Sequence, residues 1–204
     1  MLRTGWNIIL VVILVLISLS CSSDTNDSDI DMATYDINAG PQVTTETISE
    51  IIFQNGFLEF SQALEYVNEE LYTALIEIFE TGTDLHTVFI PTDEAFYKLY
   101  DCLGMKTRDI SEIGNPGLVR DILLYHVIRE RFPLDSLVQN DKNQMVKTYY
   151  GEFLTIKSDA SIESIGITSF IDVNQSNKMA SNGIVHVIND VLLPVEISCK
   201  DSDG

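Results

Sequence analysis

Thr87-Val88-Phe89-Ile90-Pro91-Thr92-Asp93-Glu94-Ala95-Phe96 and Ser181-Asn182-Gly183-Ile184-Val185-His186-Val187-Ile188-Asn189-Asp190-Val191-Leu192-Leu193-Pro194 decide the fold of this chain. Thr87 to Ile90 is β-branched and aromatic, which suits a short buried strand. Pro91 ends it, since proline supplies no ladder donor. Thr92 has the chemistry of a helix N-cap, with Asp93 and Glu94 at the positive end of the helix dipole. Phe96, Leu99 and Tyr100 follow at helical spacing and turn inward. In the second block Asn182-Gly183 reads as a turn. A strand from Ile184 to Leu193 follows, apolar on both faces as a centrally placed strand must be. Core packing is the first explanation of both blocks.

Outward from these blocks, Thr47-Ile48-Ser49-Glu50 has the form of a capping box before Ile51, Ile52 and Phe53, and Gly56 breaks that helix. Phe60, Leu64, Val67, Leu71, Leu75 and Phe79 recur every three or four residues, which predicts a helical pair with a bend or break. Asn115-Pro116 starts another helix, with Leu118, Ile122 and Tyr125 along one face. Beyond Pro133 the texture changes to short strands, Met145 to Tyr149, Phe153 to Lys157 and Ile167 to Val173, with a hairpin turn at Gly151. Helices first and strands later, without βαβ repetition, indicate α+β.

Between the two blocks lies Asp121-Ile122-Leu123-Leu124-Tyr125-His126-Val127. In that order the three segments resemble the two homology boxes and the intervening Tyr-His element of the fasciclin domain family, over a span from Thr47 to Val195. The resemblance implies a single fasciclin-like domain, its N-terminal helices packed against a β-sandwich or wedge of short strands. It also implies binding and adhesion without catalysis, and names no ligand. In animal members the Tyr-His element is linked to receptor binding, so Tyr125 and His126 carry over, and with them Asp121, Ile122 and Leu123. Core packing explains the same five residues equally well.

The amino terminus speaks to location. Arg3 is followed by an apolar run from Ile8 to Ile17, then Ser18-Leu19-Ser20 and Cys21. The run falls short of the roughly 20 residues that cross a bilayer and fits a secretory h-region of about 7–15 residues. Small residues before a cysteine resemble the lipobox of bacterial lipoproteins, although Ser18 stands where an aliphatic residue is usual. Lipidation of Cys21 is the expectation, with plain secretion or a short uncleaved anchor as alternatives. The organisation that follows is a signal peptide 1–20, an acidic tether 21–44, a fasciclin domain 45–196 and a polar tail 197–204. The location implied is the cell envelope, at the outer membrane, periplasmic or surface-exposed. Acidic residues just behind the cysteine resemble surface-export signals. Asp24, Asp27, Asp29 and Asp31 lack the glycine turn and closing glutamate of a calcium loop, so they read as solvated linker.

Composition removes other classes. The net charge is -19, and no Lys or Arg occurs between Arg3 and Lys98. Nucleic-acid binding draws its affinity from basic groups, so no nucleic-acid partner is expected. Anionic lipid would repel the chain, leaving the lipid anchor to hold it at the membrane. The acidity favours cationic partners or serves solubility alone. Past Cys21 only Cys102 and Cys199 remain, giving one disulfide or two separate thiols. In the family the two boxes lie side by side, which would bring the two cysteines together. No metal site or cofactor is expected, because no closely spaced Cys or His pair exists.

Catalytic signals are thin. His86, His126 and His186 are scattered over three elements. His126, at a helix C-terminus, is expected half-buried with its cationic form favoured. His186 and Asp190 would share one face of a strand, with no nucleophile beside them. Asp93 and Glu94 are explained by helix capping. Asp135-Ser136-Leu137 resembles a bacterial O-glycosylation acceptor. The reading is a non-enzymatic, lipid-anchored module contacting cell-surface or matrix protein or polysaccharide. A lipoprotein capturing glycan or small hydrophobic ligands through Tyr149 and Tyr150 is the alternative, with an envelope enzyme behind it. The sequence sets no oligomeric state.

Overall fold

The computed structural model describes residues 44–73, 75–81, 84–139 and 142–199. The leader 1–20, Cys21 with the acidic stretch from Asp24 to Asp31, and residues 200–204 lie outside the described residues.

Helix α1, Ile48–Gln54, opens on a complete capping box: Thr47 Oγ1 accepts from Glu50 N at 3.2 Å, and Glu50 Oε2 accepts from Thr47 N at 2.7 Å. Gly56, at φ +77°, turns the chain out of it. Helix α2 (Leu58–Leu71) stops at left-handed Tyr72, and α3 (Glu77–Glu80) resumes the apolar spacing, so the predicted pair with a break is present. Strand β1 is His86–Pro91, and Thr92 then caps α4, Asp93–Leu103, accepting from Ala95 N at 3.2 Å. A 3-10 turn at Ile110–Ile113 precedes α5, Pro116–Tyr125, which is capped by Asn115.

The remaining elements are β2 (Val127–Arg129), α6 (Leu134–Leu137), β3 (Gln144–Lys147), β4 (Phe153–Ile156), β5 (Ser161–Glu163), β6 (Thr168–Phe170), β7 (Lys178–Ala180) and β8 (Gly183–Ile188). They form two four-stranded sheets, in the orders β2-β1-β8-β7 and β3-β4-β5-β6. In the first sheet β1 and β8 run parallel over six residue pairs, from His86–Gly183 to Pro91–Ile188. The second is an antiparallel meander. Bridges Ile128–Thr148 and Ile171–Ile188 join the two sheets at their margins. The fold is α+β.

The layers follow from alternation along the central strands. Val88 and Ile90 of β1 and Val185 and Val187 of β8 pack into the core shared with the helices. Phe89 and Ile188 point the other way, into a second core with Leu154, Ile156 and Ile162 of the meander. Sheet one is therefore covered on both faces, which explains the two-sided apolarity of both blocks. The second block departs from expectation at its end. Its strand stops at Ile188, and Asp190 N–H donates to Ser169 Oγ at 3.0 Å. Val191, Leu192 and Leu193 are buried without belonging to a strand, because apolarity marks burial and not pairing.

Cys102 at the end of α4 and Cys199 beyond β8 are joined by a disulfide, with their Cα atoms 4.4 Å apart. Ile197 packs against the helical core. Ile197 and Cys199, expected in a polar tail 197–204, are thus tied to the domain that was expected to end at 196.

Candidate functional site

The Tyr-His element sits where the two blocks meet. Helix α5 turns Ile122 and Leu123 inward, and Tyr125 and His126 are buried below them. His126 Nδ1–H donates to Ile122 O at 2.8 Å, while Nε2 accepts from Leu192 N–H at 3.0 Å. Phe89 N–H donates to His126 O at 3.0 Å. One residue therefore ties α5 to β1 and to the segment after β8. Both ring nitrogens are committed in opposite senses, which fixes the neutral tautomer. Burial holds the pKa down at about 4. The expected half-buried cation is instead a buried neutral ring, since desolvation outweighs any helix-end field.

Tyr125 is equally committed. Its hydroxyl donates to Phe153 O at 3.1 Å and accepts from Ile165 N–H at 3.3 Å, tying α5 to the second sheet. Of the five carried-over residues only Asp121 is not buried, and it pairs with neighbouring Arg120 at 2.7 Å. Ile122, Leu123, Tyr125 and His126 are buried in the folded domain, Ile122 at the wall of an apolar pocket with Leu99, Leu118 and Leu193. The sequence left core and contact both open for this element, because a Tyr-His pair has the same letters in a core and on a surface, and the structure adds the depth of its burial.

The other histidines are also core groups. His186 Nε2–H donates to Phe132 O at 2.8 Å, its Nδ1 faces Asn177 N–H at 3.4 Å, and burial lowers its pKa. Asp190, expected on the same strand face, lies past the strand end and pairs with Lys98 at 3.0 Å. His186 and Asp190 do not meet. Ser136 of the Asp135-Ser136-Leu137 triplet lies in the one-turn helix α6, donating to Pro133 O at 2.6 Å. Among the described residues, no three His, Cys, Asp or Glu side chains are grouped to hold a metal ion.

Exposed chemistry gathers elsewhere, in a cleft of ≈ 560 Å³ between β2 and β3. Its walls include Arg129, Glu130 and Phe132 on one side and Met145, Lys147 and Tyr149 on the other. This volume falls within the roughly 300–1,000 Å³ range of ligand sites. The cleft exists because the chain leaves β2 abruptly. Glu130 adopts φ +88°, a conformation that costs a residue with a Cβ about 1–3 kcal/mol. Two bonds hold it there: Thr87 Oγ1 donates to Glu130 O at 2.8 Å and accepts from Phe132 N–H at 2.8 Å. Glu130 N–H donates to Leu85 O at 2.7 Å. Thr87 is fully buried, so its hydroxyl is satisfied only by this loop.

Behind the cleft, Tyr149 is half-buried, its ring 5.6 Å from buried His86 and capped by the Arg129 guanidinium at 4.4 Å. Neither ring nitrogen of His86 has a hydrogen-bond partner. Burial lowers its pKa, against the attraction of Asp84. Tyr149, considered from sequence as a free aromatic platform, is thus occupied on its face. Among the described residues neither Arg129 nor Lys147 forms an ion pair, in a chain with 31 carboxylates. Arg129 and Lys147 thus bring two cations without an ion pair to the walls of one cleft, Arg129 resting on Tyr149 and Lys147 6.0 Å from the Phe153 ring centroid.

Comparison with known proteins adds the following. The fasciclin domain family model matches residues 58–194. Transforming growth factor-beta-induced protein ig-h3 of Sus scrofa is 35% identical over 112 residues, 54% of this chain and 14% of that protein. Periostin of Homo sapiens is 28% identical over 116 residues, 55% of this chain and 12% of that protein. The chain therefore spans only a small part of the length of these relatives. A solved FAS1 domain pair from the insect cell adhesion molecule fasciclin I covers 71% of this chain and 43% of its own, at 21% identity and a TM-score of 0.38.

Proposed function

Because the chain belongs to the fasciclin domain family, whose domains are cell adhesion modules, we propose that it is a non-catalytic adhesion module of the cell envelope, lipid-anchored through Cys21 and contacting cell-surface or matrix protein or polysaccharide through the cleft between β2 and β3. One observation carries this reading. His126 and His186 are consumed by backbone partners and His86 is buried behind Tyr149, whereas Arg129 and Lys147 line a cleft without an ion pair among the described residues. Such an arrangement suits recognition of a partner at the cleft rather than acid-base chemistry in the core. None of the described helices is long and apolar enough to cross a membrane, and attachment by acyl chains on Cys21 needs no such helix.

The test uses the full chain against cell-envelope fractions. Wild type should be retained, and Arg129→Glu with Lys147→Glu should abolish retention while the melting temperature holds. Retention that ignores both charge reversals overturns the cleft reading. Metabolic labelling with a fatty-acid analogue tests the anchor separately: equal labelling of wild type and Cys21→Ala removes the lipoprotein assignment.

A further inference from the structure

The partner's chemistry can be taken further, on the premise that the β2–β3 cleft is the contact site. At the hairpin, Thr148 N–H donates to Glu152 O at 2.9 Å. Hydrogen-bonded pairs alternate along an antiparallel ladder, so the next ones are Val146 with Leu154 and Gln144 with Ile156. Met145 and Lys147, opposite Thr155 and Phe153, therefore direct their main-chain N–H and C=O groups away from β4, towards the cleft. The inner end of this edge is closed by the Ile128–Thr148 bridge and by Tyr149 N–H donating to Val127 O at 2.7 Å. Continuing that register sets Arg129 opposite Lys147 on one face. Then Glu130 turns away to Leu85, and Met145, 66% exposed, is left beside the cleft with no strand partner on that side among the described residues.

The geometry points to strand addition: an extended acidic peptide segment lies along β3 at Met145, its main chain completing the open edge and its carboxylates meeting Arg129 and Lys147 at the cleft's inner end. Edge strands recruit peptides by this main-chain pairing, and flanking side chains set the preference. With Lys147 already opposite Arg129, Met145 alone offers its main chain, so one residue of the segment exchanges bonds with it and the neighbouring residues carry the carboxylates. Charge selects within this class. A short acidic segment meets two unpaired cations, whereas a long polyanion would be repelled along its length by a chain of net charge -19.

The experiment titrates the full chain with an N-acetylated, C-amidated octapeptide alternating Glu and Val, followed by calorimetry and by amide hydrogen exchange. Binding that weakens with salt is expected, together with slowed exchange at the Met145 amide. Arg129→Gln with Lys147→Gln should weaken binding by about tenfold or more. With Met145→Ala as the control for the lost side chain, Met145→Pro removes an N–H that faces the cleft and no ladder bond to β4, so it should melt close to wild type and lose the peptide. If that variant is unstable, exchange at Met145 in the wild-type complex decides alone. The proposal is overturned by no binding at millimolar peptide, by binding without protection at Met145, or by polygalacturonate binding more tightly than the peptide. Should the peptide fail while Arg129 and Lys147 still govern envelope retention, the cleft survives as the contact site and only its partner class is lost.

Discussion

Oγ1 of Thr87 bonds Glu130 O and Phe132 N–H, and so decides where the chain goes after β2. Thr87→Val keeps the side-chain shape and strands both backbone groups. A loss of about 1–3 kcal/mol is expected, with weaker envelope retention than that loss of fold alone explains; a variant melting like wild type would contradict it. His126 gives a pH signature. Its folded pKa of about 4 lies below the ordinary 6.5, so between these values the unfolded chain binds a proton that the native state excludes. Its contribution is complete above 6.5 and falls away as pH drops towards 4, by on the order of 3 kcal/mol in all. His86 and His186 are shifted downward by burial too, and add to the slope. Thermal melts from pH 7.5 to 4.5 should show the decline, and His126→Gln should be less stable at pH 7.5 but flatter across the window. Neither residue's role was legible in sequence: Thr87 read as a strand former, and its partner Glu130 lies 43 positions away.

Elements were legible in proportion to how locally they are specified. The capping box at Thr47, the Thr92 cap and Asn115-Pro116 each place the required side chain within three residues of the amide it serves, so the helix starts were readable. Strands β2, β5 and β7 have three residues each, too few to show a period, and exist because their neighbours pair with them. Asn182-Gly183 illustrates the difference. It reads as a turn and the turn is there at Ser181-Asn182, but the letters do not show that Ile48 N–H donates to Asn182 Oδ1 at 2.9 Å and Asn182 Nδ2–H donates to Phe79 O at 2.8 Å, clamping α1 and α3 to the start of β8. A Cβ on Gly183 would lie 2.2 Å from His86 O and 2.6 Å from Ile48 Cδ1. Gly183→Ala must therefore push β8 from β1 or α1 from both, at a cost of about 1–3 kcal/mol or more in denaturant unfolding. Phe89→Ala opens the second core between the sheets and should cost about 3–5 kcal/mol by the same measurement. A change under 1 kcal/mol at either position would mean that the two cores do not depend on these contacts.

At the scale of the whole molecule, three segments far apart in sequence were sufficient to read the family and the α+β class, because they are the parts that converge on one another. The cleft was not readable, since its walls come from a three-residue strand, a strained glutamate and an edge strand that share no motif. The disulfide between Cys102 and Cys199 acts at this scale as well. In the chain-entropy model, closing so long a loop stabilises by about 4–5 kcal/mol, so reduction should lower the melting temperature. Its further consequence is mechanical. A module that holds a partner is stretched between its attachment and its contact site. With the sulfurs joined, a pull applied at Thr44 and at Cys199 travels through the bond, and only the chain up to Cys102 can pay out. The 97 positions spanned by the bond stay coiled inside a covalent ring that contains β3 and the cleft. At roughly 3.3–3.6 Å per residue, reduction should add about 320–350 Å to the extension of a single stretched molecule. The oxidised chain can thus shed its leading helices under tension and still keep the loop that carries the proposed contact cleft a closed circuit.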